Sequence, residues 1–241
     1  MNNVRTVSDT KRTFYSLHTR PINTIYRRVV EELMVEMHLL SVNNDFSYDP
    51  IYALGVVTTF DRFMQGYRPE ADKEPIFAAL CQAVGSDAQT YKQDAERLRA
   101  FVAQRSAKDV IDSLSQESLF ANTGDLQGTL QAIANNQKFK YSRLFAVGLF
   151  NLIEQADPEL AKDPKQVTEA LKKISAGLHL PEDKVQKDLE LYRSNLEKMA
   201  QALIIMEDAV KAERKKREQR ASDKGVVVAP PNGQKSSSDG K

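Results

Sequence analysis

The chain has 241 residues, of which 34 are Lys or Arg and 33 are Asp or Glu. The near-zero net charge excludes a strong overall electrostatic attraction to nucleic acid or lipid. Its hydrophobic share of 41% is ordinary for a globular protein, and its length suits one large domain or two small ones. The single cysteine, Cys81, excludes a disulfide framework. The most apolar run, residues 144–153, is about half the ~20 residues that a bilayer helix needs, and the N-terminus has no apolar signal core.

The stretch from Pro21 to Met64 predicts two long helices around which the chain is organised. Between Ile22 and Leu40, apolar residues recur at three- and four-residue steps, which is typical of an amphipathic helix lying on a core. We expect Pro21 to occupy its first position. Pro50–Met64 leaves almost no polar face and therefore predicts a buried central helix, which Asp49 would cap.

The remaining start and stop signals predict further helices and no strands. Thr6 with Asp9 is a candidate capping box, Ser86 and Ser106 are candidate N-caps, and residues 141–156 predict a second core helix. Asp163-Pro164 begins another helix. We therefore predict an all-α fold: a multi-helix globular domain over residues 1–180, a long C-terminal helix of partly coiled-coil character over 181–220, and a disordered tail over 221–241.

The C-terminal helix carries a heptad pattern. Its apolar residues follow 4,3,4,3 spacing: Val185, Leu189, Tyr192, Leu196, Met199, Leu203, Met206 and Val210. A helix of about 40 residues is roughly 60 Å long, more than a small domain covers. Two interpretations stay open, packing on the chain's own domain or a seam for a partner or second copy. We expect the proximal half of the helix to pack on the chain's own domain, and we expect Leu203, Met206 and Val210 to bind a partner.

A basic segment follows this seam. Its six cations stand against Glu213 and Glu218: Lys211, Arg214, Lys215, Lys216, Arg217 and Arg220. They point all round the helix with no large apolar residue among them, so the segment cannot insert as an amphipathic helix. A net of four charges is worth about 4 kcal/mol at an anionic leaflet. The segment is thus either a solvated helix end or a weak membrane assist, and without aromatic residues for base stacking it does not predict nucleic-acid binding.

No catalytic, cofactor or metal site emerges from the residues. His18, His38 and His179 are far apart, and the Glu-x-x-His spacing of a bundle di-iron site is missing. Cys81 lies on an apolar helix face with no neighbouring base, which predicts a buried, inert thiol. The glycines of TGDLQGT lack the lysine of a phosphate-binding loop.

A family resemblance supplies the function. The run TVSDTKRTFYSLHTRPINTIYRRVVEELMVEMHLLSVNNDFSYDPIYALGVVTTFDRFMQGY, with DKEPIFAALCQAVG and DPKQVTEALKKI further along, resembles the thylakoid formation protein family of cyanobacteria and chloroplasts. The resemblance spans residues 4–220. It implies a mostly helical protein, peripheral on the cytoplasmic or stromal side of the thylakoid, that serves photosystem II biogenesis and repair together with the membrane-anchored FtsH protease. Because no transit peptide is evident, it also implies a cyanobacterial member or a mature plastid form.

We therefore expect a non-enzymatic accessory factor that acts by protein binding, with FtsH and photosystem II components as partners. No cofactor and no nucleic acid are expected, and the oligomeric state stays open. The alternative is a small-molecule or pigment-binding helical protein of the thylakoid, with its ligand in a pocket beside the two core helices. A pocket with convergent polar groups would favour that alternative.

Overall fold

The structure, a computed structural model, describes residues 5–118 and 125–225, without the side chains of residues 125 and 221–225. Helices and short 3-10 turns account for the regular structure, and the described residues form no strand, which confirms the predicted all-α class. The chain divides into two compact units, residues 1–197 and 198–241. The predicted disordered tail lies outside the described residues from residue 226 onward.

Nine of the helices lie wholly in the first unit. They are α1 (Val7–Leu17), α2 (Thr24–Ser41), α3 (Pro50–Phe63), α4 (Lys73–Ala83), α5 (Ala88–Val102), α6 (Ala107–Leu114), α7 (Asp125–Ala134), α8 (Arg143–Ala156) and α9 (Pro164–Gly177). Short 3-10 turns span Glu70–Asp72 and Leu160–Lys162. The last helix, α10 (Glu182–Gly225), begins in the first unit and forms the described part of the second.

Several predicted helix starts are confirmed by their capping bonds. Thr6 and Asp9 form both bonds of a capping box at α1. The side chain of Asp49 accepts the backbone N–H of Tyr52 at 2.8 Å at the start of α3. Asp163 caps α9 in the same way through the N–H of Lys165, at 2.9 Å. Each signal works over a few residues, so it can be read from sequence alone.

Some predicted starts were wrong by one to three residues. α2 begins at Thr24 and not at Pro21, because Asn23 accepts the N–H of Ile25 at 3.2 Å and so makes the cap. α5 is capped by Asp87, which accepts the N–H of Thr90 at 3.0 Å, and not by Ser86. α8, predicted from residue 141, begins at Arg143, because Ser142 accepts the N–H of Phe145 at 3.1 Å and makes the cap.

The centre of the first unit is the crossing of α3 and α8. Gly55 and Gly148 lie at this crossing, and a Cβ atom at either position would overlap backbone of the opposite helix. At Gly55 it would be 1.7 Å from the carbonyl oxygen of Leu144, and at Gly148 it would be 2.0 Å from that of Ile51. The missing side chains let the two backbones approach closely, so the predicted pair of core helices is a single tightly packed contact.

The other helices pack around this pair. α5 contacts α3 most extensively, α2 lies against α3, and α1 and α4 pack on each other. Polar links reinforce this packing: Arg143 of α8 bonds Glu36 of the outer helix α2 at 2.5 Å, and Arg62 of α3 pairs with Glu154 of α8 within the central pair. The first unit therefore has a filled apolar centre with ion pairs at its edge.

Candidate docking surface on α10

The proximal part of α10 is covered within the first unit. Val185 is fully buried, and Leu189 and Tyr192 are each 3% exposed. The ring of Tyr192 packs edge-on against Phe63 of α3, with ring centroids 5.8 Å apart. Asp188 accepts the hydroxyl of Tyr141 at 2.9 Å. The first heptad positions thus have partners inside their own unit.

In the second unit, the distal part of α10 keeps Met199 buried, at 8% exposed, but exposes three of its large apolar side chains. Ile204 is 61% exposed, Ile205 68% and Val210 64%, the highest fractions among the large hydrophobic residues of the described chain. Leu203 and Met206 are partly exposed. Exposed apolar side chains on consecutive turns favour an interaction surface over a solvated helix end.

The sequence predicts a candidate site on Leu203, Met206 and Val210 and does not include Ile204 or Ile205 in it. The structure instead leaves these two isoleucines more exposed than Leu203 and Met206. Ile204 and Ile205 do not occupy positions of the 4,3,4,3 seam, so the heptad pattern does not identify them. The readable signal was the run of four apolar residues, Leu203 to Met206, in an otherwise polar stretch.

All six cations of the predicted basic segment are exposed. Lys211 pairs with Glu207 at 3.6 Å and Arg214 with Glu218 at 2.9 Å, each one helical turn apart. Lys215, Lys216 and Arg217 have no carboxylate of the described residues within ion-pair distance. Positive charge therefore surrounds the helix immediately after the exposed apolar residues.

The residues considered for chemistry lie apart from one another. The Cys81 thiol is buried, and burial raises its pKa to about 12, so at neutral pH it stays protonated. His38 is buried with its Nδ1 2.9 Å from the Thr10 hydroxyl, and burial lowers its pKa. His179 Nδ1 lies 2.9 Å from the carbonyl oxygen of Ala134. No three potential metal ligands come together in the part of the chain that the structure describes.

A depression with a volume of about 710 Å³ lies on the surface of the first unit, along α2. Most of its charged groups pair with one another: Lys11 with Glu31 at 2.9 Å, Arg28 with Glu32 at 3.0 Å, and Arg143 with Glu36 at 2.5 Å. Polar groups that already satisfy each other do not converge on a ligand. This depression therefore gives the pigment-binding alternative no support.

Across residues 5–118 and 125–225, no helix combines the length and the apolarity needed to cross a membrane. Fold and surface together define an all-α protein whose most prominent candidate site is an exposed helix and not a pocket.

The chain belongs to the thylakoid formation protein family, whose model matches residues 6–221. It is 69% identical over 232 residues to Protein Thf1 of Nostoc punctiforme, covering 96% of this chain and 99% of the relative. It is 60% identical to Protein Thf1 of Gloeothece citriformis, covering 91% of this chain and 98% of that one. The chain is also similar to the solved structure of Psb29, with 46% identity, a TM-score of 0.77, and coverage of 89% of this chain and 99% of that one. The family resemblance read from the sequence is thereby confirmed.

Proposed function

We propose that this protein is a non-enzymatic accessory factor in thylakoid membrane biogenesis and in photosystem II assembly and repair, and that it acts by binding other proteins. Its membership of the thylakoid formation protein family supports the process. The observation that supports a binding mechanism is the group of exposed apolar residues on distal α10, with Ile204, Ile205 and Val210 each more than half exposed.

The proposed partner is the membrane-anchored FtsH protease complex, with photosystem II components in the same assembly. The protein works at the cytoplasmic or stromal face of the thylakoid, attached peripherally and exchanging with a soluble pool. Exposed cations next to the apolar residues suit this location, because an anionic leaflet attracts them by about 1 kcal/mol each. That attraction assists attachment, while the protein partner provides specificity.

Capture from solubilised thylakoids tests the proposal. Tagged full-length protein should retain FtsH, and the double variant Leu203→Glu with Met206→Lys should retain much less while keeping its helicity and melting temperature. Leu191→Glu is the matched control, because Leu191 is a 46% exposed apolar residue of the same helix within the first unit. It should retain FtsH normally.

The outcomes separate the parts of the proposal. Normal retention of FtsH by a well-folded double variant would contradict docking through distal α10. Failure of the wild-type protein to retain FtsH would contradict the choice of partner. A large loss of thermal stability in the double variant would show that these side chains pack within the protein.

A further inference from the structure

The exposed apolar residues of distal α10 point in different directions. Successive residues of an α-helix are rotated by about 100°, so Ile204, Ile205 and Val210 project about 100–140° apart around the axis. All three are more than 60% exposed. A single partner helix covers only one stripe of its neighbour, so it would leave at least one of these side chains in water. Burying all three takes apolar surface on several sides.

The unpaired cations share this arrangement. Lys215, Lys216 and Arg217 are consecutive, so they too point about 100° apart, and they begin about one turn beyond Val210. No carboxylate of the described chain lies within ion-pair distance of them. A partner surface that encloses Leu203 to Met206 and Val210 would therefore have these cations at its edge. Carboxylates at that edge of the partner would complement their charge.

A second copy of the chain does not supply that complement. A parallel pair would bring the two basic segments side by side, and like charges in register repel. An antiparallel pair centred on Ile204 and Ile205 would set Lys215, Lys216 and Arg217 opposite Ser194, Arg193 and Tyr192. The antiparallel pair would bring Glu190 and Glu197 to within about one turn of these cations, but it would lie along Tyr192, which is 3% exposed and already packs against Phe63.

A lipid surface fits no better. A helix that lies in the membrane interface buries one continuous apolar face and keeps its charges on the other. Here the apolar directions are spread around the axis, and Glu207 and Asp208 lie between the apolar turn and the basic residues. Both carboxylates are exposed. Inserting any one face would bury charge or leave isoleucine outside.

We propose that residues 203–217 of α10 enter a cleft between at least two helices of an acidic protein partner, with apolar walls around Leu203 to Met206 and Val210 and with carboxylates at the rim facing Lys215, Lys216 and Arg217. This inference rests on the proposed function, in which distal α10 is the docking surface. It adds the shape of the partner's site and its charge.

Site-specific photocrosslinking tests the shape. A benzoylphenylalanine is placed at position 204, 205 or 210 of the full-length protein, which is irradiated with solubilised thylakoids, and the adducts are mapped by mass spectrometry. We expect the three positions to mark one protein, in two or more separate helical segments flanked by Asp or Glu. Adducts confined to a single segment, to lipid or to a second copy would overturn the inference, as would the absence of adducts at all three positions.

Charge reversal tests the rim. Lys215→Glu, Lys216→Glu and Arg217→Glu, combined with the probe at position 205, should lower the adduct yield by at least about tenfold, because rim charges govern encounter. The matched control reverses Lys108, Lys165 and Lys172, which are exposed in the first unit, and should leave the yield unchanged. Equal yields in the two triple variants would overturn the acidic rim.

Vesicles of phosphatidylcholine and phosphatidylglycerol serve as the lipid probe. We expect the wild-type protein and the control triple variant to cosediment weakly, and the triple reversal on α10 to cosediment even less, because it removes three of the cations that attract the anionic lipid. Strong cosedimentation that only the triple reversal on α10 abolishes would overturn the inference in favour of a membrane surface. If the crosslinks fail while FtsH capture persists, the inference fails and the proposed function stands.

Discussion

Asp49 is a carboxyl group that caps α3 from inside the protein. It is 7% exposed, and burial raises its pKa to about 7, although the N–H groups of Tyr52 and Ile51 favour its charged form. In the unfolded chain this pKa is about 3.9. At a pH between these two pKa values, Asp49 is ionised in the unfolded chain but protonated in the folded protein. Raising the pH therefore favours the unfolded state and lowers the free energy of unfolding.

We therefore expect the free energy of unfolding to fall between pH 5 and 7, by as much as about 1.4 kcal/mol per pH unit. Asp49→Asn keeps a capping oxygen but cannot ionise, so it should flatten this dependence in urea denaturation at several pH values. Asp163→Asn is the control, because Asp163 caps α9 from an exposed position and its hydrogen bond to Gln166 lowers its pKa. Equal pH slopes for wild type and Asp49→Asn would contradict the prediction.

His179 shows how one residue can serve two helix ends. It follows α9 with φ of 54°, while the N–H of Leu180 bonds the carbonyl of Ser175 at 2.8 Å. This is the Schellman arrangement, in which glycine is the usual residue at the left-handed position. The His179 ring meanwhile donates to Ala134, the last residue of α7, at 2.9 Å. The strain of the backbone is thus offset by a bond to a second helix.

Replacement of His179 should separate these two effects. His179→Ala loses the bond and keeps the strain, so we expect it to lower the free energy of unfolding by about 1 kcal/mol. His179→Gly loses the bond but relieves the strain, so it should be close to neutral and about 1 kcal/mol more stable than the alanine variant. Denaturant titration measures both, and an alanine variant as stable as the glycine variant would show that the strain is negligible.

At the scale of elements, the α3–α8 crossing has no space for a methyl group. Gly55→Ala and Gly148→Ala should each lower the free energy of unfolding by about 1–3 kcal/mol or more, because the added Cβ would meet backbone and not a movable side chain. For a chain of this size, that is a fall of several degrees in melting temperature. Thermal melting followed by circular dichroism provides the measurement.

Gly128 provides the matched control for this pair. It lies inside α7, where an added Cβ would meet nothing within 4 Å. Gly128→Ala should therefore raise the free energy of unfolding by about 0.5–1 kcal/mol through helix propensity alone. If Gly55→Ala melted like Gly128→Ala, the close approach of α3 and α8 would be refuted.

The elements that sequence predicted well are those with local causes. The capping box at Thr6 and the aspartates before Pro50 and Pro164 each act within one turn, so their spacing is enough. Pro21 was expected at the first position of α2, but the helix begins at Thr24, because Asn23 is the residue in this stretch whose side chain caps it. The pairing of Gly55 with Gly148 could not be predicted, because nothing local connects residues so far apart.

The position of the candidate site in the chain could be predicted from the sequence, but the exposure of its side chains could not. The 4,3,4,3 seam locates a stretch of helix able to bind, but exposure depends on which side chains the rest of the protein covers. Val185 and Leu189 belong to the same seam as Val210, yet they are buried while Val210 is 64% exposed. The spacing treats these positions alike, and only the folded structure distinguishes them.

For the whole molecule, we expect fractionation to find the protein partly with thylakoid membranes and to find it released by salt or carbonate washing. The exposed cations of α10 attract an anionic leaflet by about 1 kcal/mol each, and salt screens that attraction. Immunoblots of washed membranes provide the test, with FtsH as the retained control. Retention through carbonate would reveal a lipid anchor or inserted structure.

The two helices of the α3–α8 crossing are synthesised at different times. α3 ends at Phe63, but α8 is complete only at Ala156. At roughly 5–20 residues per second, a ribosome needs about 5–20 s to make the intervening stretch. Throughout that interval the nascent chain carries a helix that is apolar on nearly all sides and lacks its permanent neighbour. We therefore expect slower translation between these two points to lengthen the time during which α3 is exposed to aggregation or to chaperone binding.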